Sequence, residues 1–134
     1  MTDQRELELI RLASEAREKA QARFSRFKVG AALRSADGRI FTGCNIENAS
    51  YGLTMCAERV AIFKAVSEGF LDFQAICVVA DTRRLTAPCG ACRQLIWEMC
   101  GDIPVLLANL QGDRQRLSSA GLLPHPFDRE SLDS

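Results

Sequence analysis

The sequence lacks an excess of charge of either sign, and it lacks any long hydrophobic run. Lysine plus arginine equals aspartate plus glutamate, at 17 each in 134 residues. The basic footprint of nucleic-acid-binding domains and of polybasic membrane surfaces is therefore missing. No apolar run follows a basic start at the N-terminus, and no segment approaches a transmembrane span. We expect a cytoplasmic protein that binds neither nucleic acid nor membrane.

Histidine is almost absent as well. The single histidine, His125, lies between two prolines in an irregular tail that begins at Gly121, and we expect it to be exposed rather than to bind a metal. Cysteine, in contrast, occurs six times. In a reducing compartment cysteines bind metals or take part in catalysis more often than they form a disulfide framework. The cysteines are therefore where we look for chemistry.

Length and patterning predict one domain over residues 1–134, because no composition shift, repeat or low-complexity tract divides the chain. The predicted elements are a helix over 3–22, strands over 28–34 and 39–46 joined by a turn at Asp37-Gly38, a helix over 56–68, a strand over 75–80, a helix from Cys89 to Gly101, a strand over 104–109 and a short strand near 115–118. Helices that cross between strands after residue 55 imply parallel pairing there. The expected fold class is α/β, a three-layer α/β/α sandwich with a mixed, roughly five-stranded central sheet.

Two cysteines are predicted at the starts of two different helices. Cys56 opens CAERV and Cys89 opens CGACRQ, and helix N-termini favour thiolates because they carry partial positive charge. Cys92 lies one helical turn beyond Cys89, on the same face. Three thiolates therefore converge if the two helix starts meet, and three soft ligands suit zinc while leaving one position open for water. Glu58, in the first turn after Cys56, is then the natural general base.

Three other interpretations of the cysteines stay open at this point. The Cys-x-x-Cys pair alone could be redox-active, which leaves Cys56 and Glu58 without a role. A structural zinc site could take Cys44, Cys77 or Cys100 as its fourth ligand, although none of these belongs to a second Cys-x-x-Cys. The cysteines could also be buried in the core, and this is what we expect for Cys44, Cys77 and Cys100.

Five motifs in order resemble the small homotetrameric cytidine deaminases. They are FKVGAAL (27–33), GCNIENASYG (43–52), CAER (56–59), PCGACRQ (88–94) and LLPHPF (122–127). His or Cys-x-Glu followed by Pro-Cys-x-x-Cys is the signature of zinc-dependent nucleobase deaminases. The resemblance implies hydrolytic deamination of cytidine and 2′-deoxycytidine to uridine and 2′-deoxyuridine in pyrimidine salvage, with one zinc ion per subunit.

The resemblance also implies roles for single residues around the metal. Cys56, Cys89 and Cys92 would hold zinc. Glu58 would take a proton from water at the metal and pass protons to N3 and to the leaving amine of the cytosine ring. Three thiolates and one Zn²⁺ sum to a net charge of −1, which weakens the acidity of the metal relative to a site with neutral ligands. Arg59 would offset this charge by hydrogen bonding to the ligand sulfurs.

Four residues would bind the substrate if the resemblance holds. Asn45 and Glu47 would bind the ribose hydroxyls, and their spacing agrees with this because residues i and i+2 of a strand point the same way. Phe27 would pack on the pyrimidine ring. Ala57 would offer backbone hydrogen bonds to the base.

Two more residues imply that the pocket is shared between subunits. Tyr51 and Phe127 match residues that complete the pocket of a neighbouring subunit in the family, so a homotetramer is expected. The sequence departs from the family pattern at Met55, where a polar residue is frequent, and at Val60, where threonine is common. We expect both changes to affect packing, with Met55 also able to shape the pocket.

Three alternative functions remain in view. The first is deamination of another cytosine nucleoside, as in the blasticidin S deaminases. The second is deamination of cytosine within nucleic acid, which the zero net charge disfavours because such enzymes need phosphate contacts. The third is a non-enzymatic zinc module, in which a fourth ligand closes the site and Glu58 has no role.

Overall fold

A five-stranded mixed sheet lies at the centre of the molecule, in a computed structural model that describes residues 4–133. Its strands are β1 (Val29–Ser35), β2 (Ile40–Cys44), β3 (Phe73–Ala80), β4 (Pro104–Ala108) and β5 (Arg114–Ser118). Their spatial order is β2-β1-β3-β4-β5. Only β3 and β4 pair in parallel, and the other neighbours are antiparallel. The prediction of a mixed sheet with about five strands is confirmed.

Helices cover both faces of this sheet, which confirms the predicted three-layer α/β/α sandwich. The helices are α1 (Gln4–Arg17), α2 (Ala57–Ser67), α3 (Gly90–Cys100) and the short α4 (Ser119–Leu122) and α5 (Arg129–Asp133), with a 3-10 turn at Tyr51–Leu53. Leu9 and Ala13 of α1 form one core with Cys77 and other residues of the sheet. Ile62 of α2 and Ile96 of α3 belong to a second, larger core. The helices that start at the cysteines therefore share one face of the sheet.

The first helix ends earlier than predicted. It stops at Arg17 instead of residue 22, because the chain turns away to pair with a distant segment. The amide of Gln21 donates to the carbonyl of Asn45 at 2.9 Å, and the amide of Glu47 donates to the carbonyl of Gln21 at 2.8 Å. Its predicted beginning at Asp3 lies outside the described residues.

The second strand is also shorter than the predicted 39–46, ending at Cys44. Ile46 instead forms isolated bridges with Gln21 and with Met55, so the chain leaves β2 to pair elsewhere. The remaining predicted strands and the helices at 56–68 and 89–101 agree with the structure within about two residues. In the tail, which was predicted to be irregular, the structure adds α4 and α5.

The prediction of parallel pairing holds for one crossover only. The connection through α3 joins β3 to its parallel neighbour β4. The connection through α2 joins β2 to β3, but β1 lies between these two strands. Since β1 is antiparallel to both, β2 and β3 run in the same direction without touching.

Helix α2 packs unusually close to the sheet at Gly43 of β2. A Cβ atom at this position would lie 2.5 Å from the carbonyl oxygen of Ala57 and 2.6 Å from the amide nitrogen of Ala61. Real Cβ atoms do not approach backbone atoms this closely, so only glycine fits here. This contact fixes the first turn of α2 against the sheet.

No helix within residues 4–133 is long and apolar enough to cross a membrane.

Candidate metal centre and active site

Cys56 and Cys89 occupy equivalent positions at the starts of two helices. Each is the N-cap residue, with extended backbone angles of φ −75° and ψ 153° for Cys56 and φ −67° and ψ 168° for Cys89. Each carbonyl accepts the first helical hydrogen bond, from Val60 at 3.1 Å and from Arg93 at 2.9 Å. The predicted placement of two cysteines at helix N-termini is confirmed. Each thiol therefore lies beside the positive end of a helix dipole.

The two helix starts meet, and the three cysteines form a cluster. The sulfur atoms of Cys56, Cys89 and Cys92 lie within 4.8 Å of one another, and those of Cys56 and Cys89 are 4.0 Å apart. Zn–S bonds of about 2.3 Å place tetrahedral sulfurs roughly 3.8 Å apart, so the donor set fits zinc. Within residues 4–133 no fourth cysteine, histidine or carboxylate joins this group. The site thus offers three soft ligands rather than a closed set of four.

The surroundings of the cluster lower the pKa of one cysteine and raise that of another. A hydrogen bond from the Cys92 thiol, helped by Arg59, lowers the pKa of Cys56 to about 5. The same hydrogen bond and burial raise the pKa of Cys92. Arg59 and the hydrogen bond within the cluster therefore favour negative charge on the sulfur of Cys56. Negative charge on sulfur suits a metal site, because cysteine binds metals as the thiolate.

Glu58 projects from the first turn of α2 into the same cavity. Its side chain is only 4% exposed, and burial raises the pKa of its carboxyl group, with the nearby Cys56 thiolate adding to the effect. A carboxyl group with a raised pKa exchanges protons more readily near neutral pH than an ordinary glutamate does. Its position next to the cysteine cluster was predicted from the spacing of CAE, and the structure brings these groups together.

A cavity of about 210 Å³ opens onto the cluster. The predicted site residues among those that line it are Phe27, Asn45, Cys56, Ala57, Glu58 and Cys89. Most of the remaining lining is apolar, including Val29, Met55 and Val78. Concave, mostly apolar cavities with a few converging polar groups are typical of small-molecule sites. Phe27 is 42% exposed, so it presents its ring to the cavity rather than filling the core.

Asn45 and Glu47 lie just beyond the end of β2, on the same buried side of the chain. Asn45 accepts from the amide of Val29 at 2.8 Å and donates to the carbonyl of Phe27 at 2.7 Å. Thr54 lines both the cavity and an adjoining depression that contains Glu47. Side chains at alternate positions lie on the same side, as expected, because Asn45 and Glu47 are buried while Ile46 between them is exposed. Both residues nevertheless lie beyond the end of β2.

The carboxylate of Glu47 is held by a turn that sequence reasoning did not single out. It accepts from the amides of Phe24 and Ser25, both at 2.9 Å, and from the hydroxyl of Ser25. These bonds, led by the Ser25 hydroxyl, lower the pKa of Glu47, so it stays ionised. Ser25 falls just before the motif FKVGAAL, and its only sequence signal is that it lies at the edge of that motif.

Tyr51 and Phe127 lie at the surface, and Tyr51 lines the depression that also contains Glu47. They are 78% and 55% exposed, and neither is among the described residues that line the cavity of their own chain. Arg59, in contrast, lies at the cluster, with its Nη2 atom 3.6 Å from the sulfur of Cys56. Its Nε is buried without a hydrogen-bond partner among the described residues.

The remaining cysteines lie apart from the cluster. Cys77 is fully buried in the core beneath α1, and Cys100 packs against the larger core. Burial raises the pKa of each to about 12, so both act as small apolar side chains, as expected. Cys44 is half-buried at the end of β2. His125 is exposed, as predicted.

The fold and the site together define a class, a zinc-binding α/β protein with a buried carboxylate beside its metal ligands. Residues 3–107 match the family described as the cytidine and deoxycytidylate deaminase zinc-binding region. The chain therefore belongs to the cytidine and deoxycytidylate deaminase family, whose activity is zinc-dependent deamination.

Individual relatives agree with this assignment. The chain is 56% identical over 126 residues to a cytidine deaminase of Halalkalibacterium halodurans, covering 93% of this chain and 96% of the relative. It is 51% identical to a cytidine deaminase of known structure from Burkholderia pseudomallei, with a TM-score of 0.88 over 95% of this chain and 100% of the other. It is also 33% identical over 136 residues to a blasticidin-S deaminase of Bacillus cereus, covering 94% of each.

Proposed function

We propose that this chain, folded as one domain, catalyses the hydrolytic deamination of cytidine and 2′-deoxycytidine to the uridine nucleosides and ammonia, in cytoplasmic pyrimidine salvage. The observation that carries the proposal is the placement of buried Glu58 beside the Cys56, Cys89 and Cys92 cluster in one cavity. A structural zinc module needs neither a cavity at the metal nor a buried carboxylate aimed into it.

Glu58 moves the protons in this account. When bound by the three cysteines, zinc supplies the Lewis acidity that makes water a nucleophile near neutral pH. The Glu58 carboxylate takes a proton from the water that attacks C4 of the cytosine ring. Glu58 delivers this proton to N3, takes a second proton from the hydroxyl group now on C4, and passes it to the amine, so that the C4–N bond breaks, ammonia leaves and the C4 carbonyl of uridine forms. One carboxyl group can perform both transfers because burial raises its pKa toward the working pH, where a general acid–base group both accepts and donates protons.

Other residues of the cavity bind and orient the nucleoside. Ala57, at the first turn of α2, offers its backbone to the base, and Phe27 packs on the pyrimidine ring. Asn45 and Glu47 bind the ribose hydroxyls. Contacts with residues 24–29 already occupy one N–H of the Asn45 amide, both positions of Glu47 Oε1 and one position of Glu47 Oε2. The second N–H of Asn45 and the remaining acceptor position of Glu47 Oε2 supply the donor and the acceptor for the ribose hydroxyls.

The active assembly in this proposal is a homotetramer whose subunits complete one another's pockets. Tyr51 and Phe127 are the residues that complete the pocket of a neighbouring subunit. Both rings are exposed, and aromatic rings left in solvent are favoured contacts for a partner surface. This arrangement accounts for two exposed aromatics in motifs that otherwise supply the site.

The test compares four substrates with the zinc-loaded protein. We expect uridine products from cytidine and 2′-deoxycytidine. Blasticidin S is the second candidate substrate because one relative is a blasticidin-S deaminase, and its turnover in preference to cytidine would transfer the proposal to that nucleoside. A single-stranded oligonucleotide containing cytosine should remain unchanged, since the chain has no net positive charge to hold phosphates. Deamination of the oligonucleotide alone would overturn the nucleoside assignment.

A further inference from the structure

Two residues that directly follow the last cysteine of the cluster both bind the C-terminal segment. Arg93 donates from Nε to the carbonyl of Pro88 at 2.8 Å and from Nη1 to the carbonyl of Leu122 at 3.1 Å. Gln94 donates from Nε2 to the carbonyl of Phe127 at 2.6 Å. Consecutive side chains of α3 therefore hold both ends of residues 122–127.

The segment between these two anchors has an unusual backbone. His125 has φ of 52°, in the left-handed region that residues other than glycine rarely adopt. It is flanked by Pro124 and Pro126, which have no amide hydrogen and cannot hold the segment by donating backbone hydrogen bonds. A backbone of this kind persists when surrounding contacts determine it. The bonds from Arg93 and Gln94 are contacts of this type.

Arg93 also bonds to the loop that carries Cys89. Pro88 directly precedes the metal-binding residue Cys89 and is itself fully buried. One planar guanidinium thus joins the carbonyl before Cys89 to the carbonyl of Leu122, and a single ammonium group lacks the fixed fork needed to hold both. The loop that carries Cys89 and the C-terminal segment are linked through one side chain.

We propose that Arg93 and Gln94 form a clamp that fixes the position of Phe127 relative to the loop that carries Cys89. Phe127, which contacts a neighbouring subunit in the proposed tetramer, would then keep a defined position relative to the cysteine cluster. The part that concerns the neighbouring pocket rests on the proposed function. Arg93 and Gln94 are positioning residues, because they act through Pro88 and the C-terminal segment and do not line the cavity.

Gln94→Ala tests the outer half of the clamp. We expect KM for cytidine to rise about fivefold or more with kcat and zinc content nearly unchanged, and hydrogen exchange of amides 127–128 to accelerate. The KM of Gln94→Ala/Phe127→Ala should equal that of Phe127→Ala, because the two residues act as one unit. Glu98→Ala is the matched control. It removes the other partner of the Gln94 amide, at 2.8 Å, and should change neither KM nor exchange.

Arg93→Lys tests the inner half while keeping the charge. We expect zinc affinity, measured by competition with a chelator, to fall about tenfold, which is the low end of the effect for groups that orient metal ligands. Exchange within residues 122–127 should accelerate in the same variant. Arg84→Lys changes an exposed arginine in the loop before Pro88 and should leave both quantities unchanged. If Arg93→Lys does not fold, Arg93→Met, which keeps the stem, provides the same two readouts.

Unchanged zinc affinity, exchange and KM in the folded variants would overturn the clamp. Equal acceleration in the Glu98→Ala control would overturn it as well, because the effect would then belong to α3 in general. These outcomes are separate from failure of the proposed function. If the wild-type protein does not deaminate cytidine, the zinc and exchange measurements still decide whether Arg93 and Gln94 hold the segment.

Discussion

At the level of single residues, the charge of the cysteine cluster sets the main electrostatic problem. Three thiolates outweigh the charge of Zn²⁺, and excess negative charge at the metal opposes ionisation of water there. The N-termini of α2 and α3 lie beside the cluster, and the Nη2 atom of Arg59 lies 3.6 Å from the sulfur of Cys56. We expect these groups to offset the excess negative charge. The hydrogen bond to Cys56 also raises the pKa of Arg59.

Replacing Arg59 by alanine should therefore separate metal binding from turnover. We expect Arg59→Ala to retain zinc and to lose at least tenfold in kcat, because the cysteines remain but their charge is no longer offset. Metal analysis and steady-state kinetics on the same sample measure both quantities, with Arg59→Lys as the variant that keeps the charge. Unchanged kcat at full zinc occupancy would contradict the role given to Arg59.

The cysteines should also differ sharply in reactivity once zinc is removed. Thiolates are the reactive form, and a thiol with a lowered pKa is ionised at every pH above that value. Cys56, with a pKa of about 5, should react with iodoacetamide from about pH 5 upward. Cys77 and Cys100, each with a pKa of about 12, should stay unmodified until strongly alkaline pH.

Mass spectrometry of peptides after alkylation at pH 6 measures this pattern. Zinc added before alkylation should protect Cys56, because metal-bound sulfur is no longer free to react. Alkylation of Cys77 or Cys100 before Cys56 in the folded, metal-free protein would contradict the arrangement of charges described for the cluster.

At the level of elements, the close contact between α2 and β2 positions Cys56 and Glu58. Gly43→Ala should destabilise the protein by about 1–3 kcal/mol, the usual cost of overpacking, because its Cβ would lie 2.5 Å from the carbonyl of Ala57. It should also weaken zinc binding, since the first turn of α2 must move. Chemical denaturation and chelator competition measure these effects.

Gly52→Ala is the matched control for this change. A Cβ at Gly52 meets nothing within 4 Å, so stability should change little. Equal stability of both variants would show that the contact at Gly43 does not fix α2.

The starts of α2 and α3 were predictable from the sequence because their signals are local. CAER and PCGACRQ place Cys56 and Cys89 at helix starts, and Gly69 and Gly101, both with positive φ, mark where the helices end. The central strands were predictable for a similar reason, since continuous apolar runs indicate strands buried on both faces.

The ends of α1 and β2 were not predictable because distant residues decide them. Gln21 leaves the helical pattern to pair with Ile46, 25 positions away, and neither segment shows this alone. The hydrogen bonds from Arg93 and Gln94 to the C-terminal segment were not predictable for the same reason, since they join residues 29 and 33 positions apart. The cysteine cluster was accessible because each ligand belongs to a motif, whereas these contacts exist only in the folded chain.

At the level of the whole molecule, the proposed sharing of pockets between subunits makes a specific prediction about mixed assemblies. In that proposal Glu58→Gln inactivates its own pocket but leaves Phe127 intact, whereas Phe127→Ala keeps Glu58 and raises KM in the neighbouring pocket. Mixed tetramers of the two variants should be more active than either parent at cytidine concentrations well below KM, because a pocket with intact Glu58 receives Phe127 from its Glu58→Gln neighbour. Co-expression with two affinity tags isolates the mixed species. Activity no higher than that of the parents would contradict pocket sharing.

The most direct test of the central claim is ammonia release from cytidine by the purified, zinc-loaded protein, with Glu58→Gln at equal zinc content as control. The account predicts release by the wild type and a loss of about 10²–10⁴-fold or more in the variant, the range expected when a general acid–base group is removed. Absence of release by folded, zinc-loaded wild type, or equal release by the variant, would contradict it.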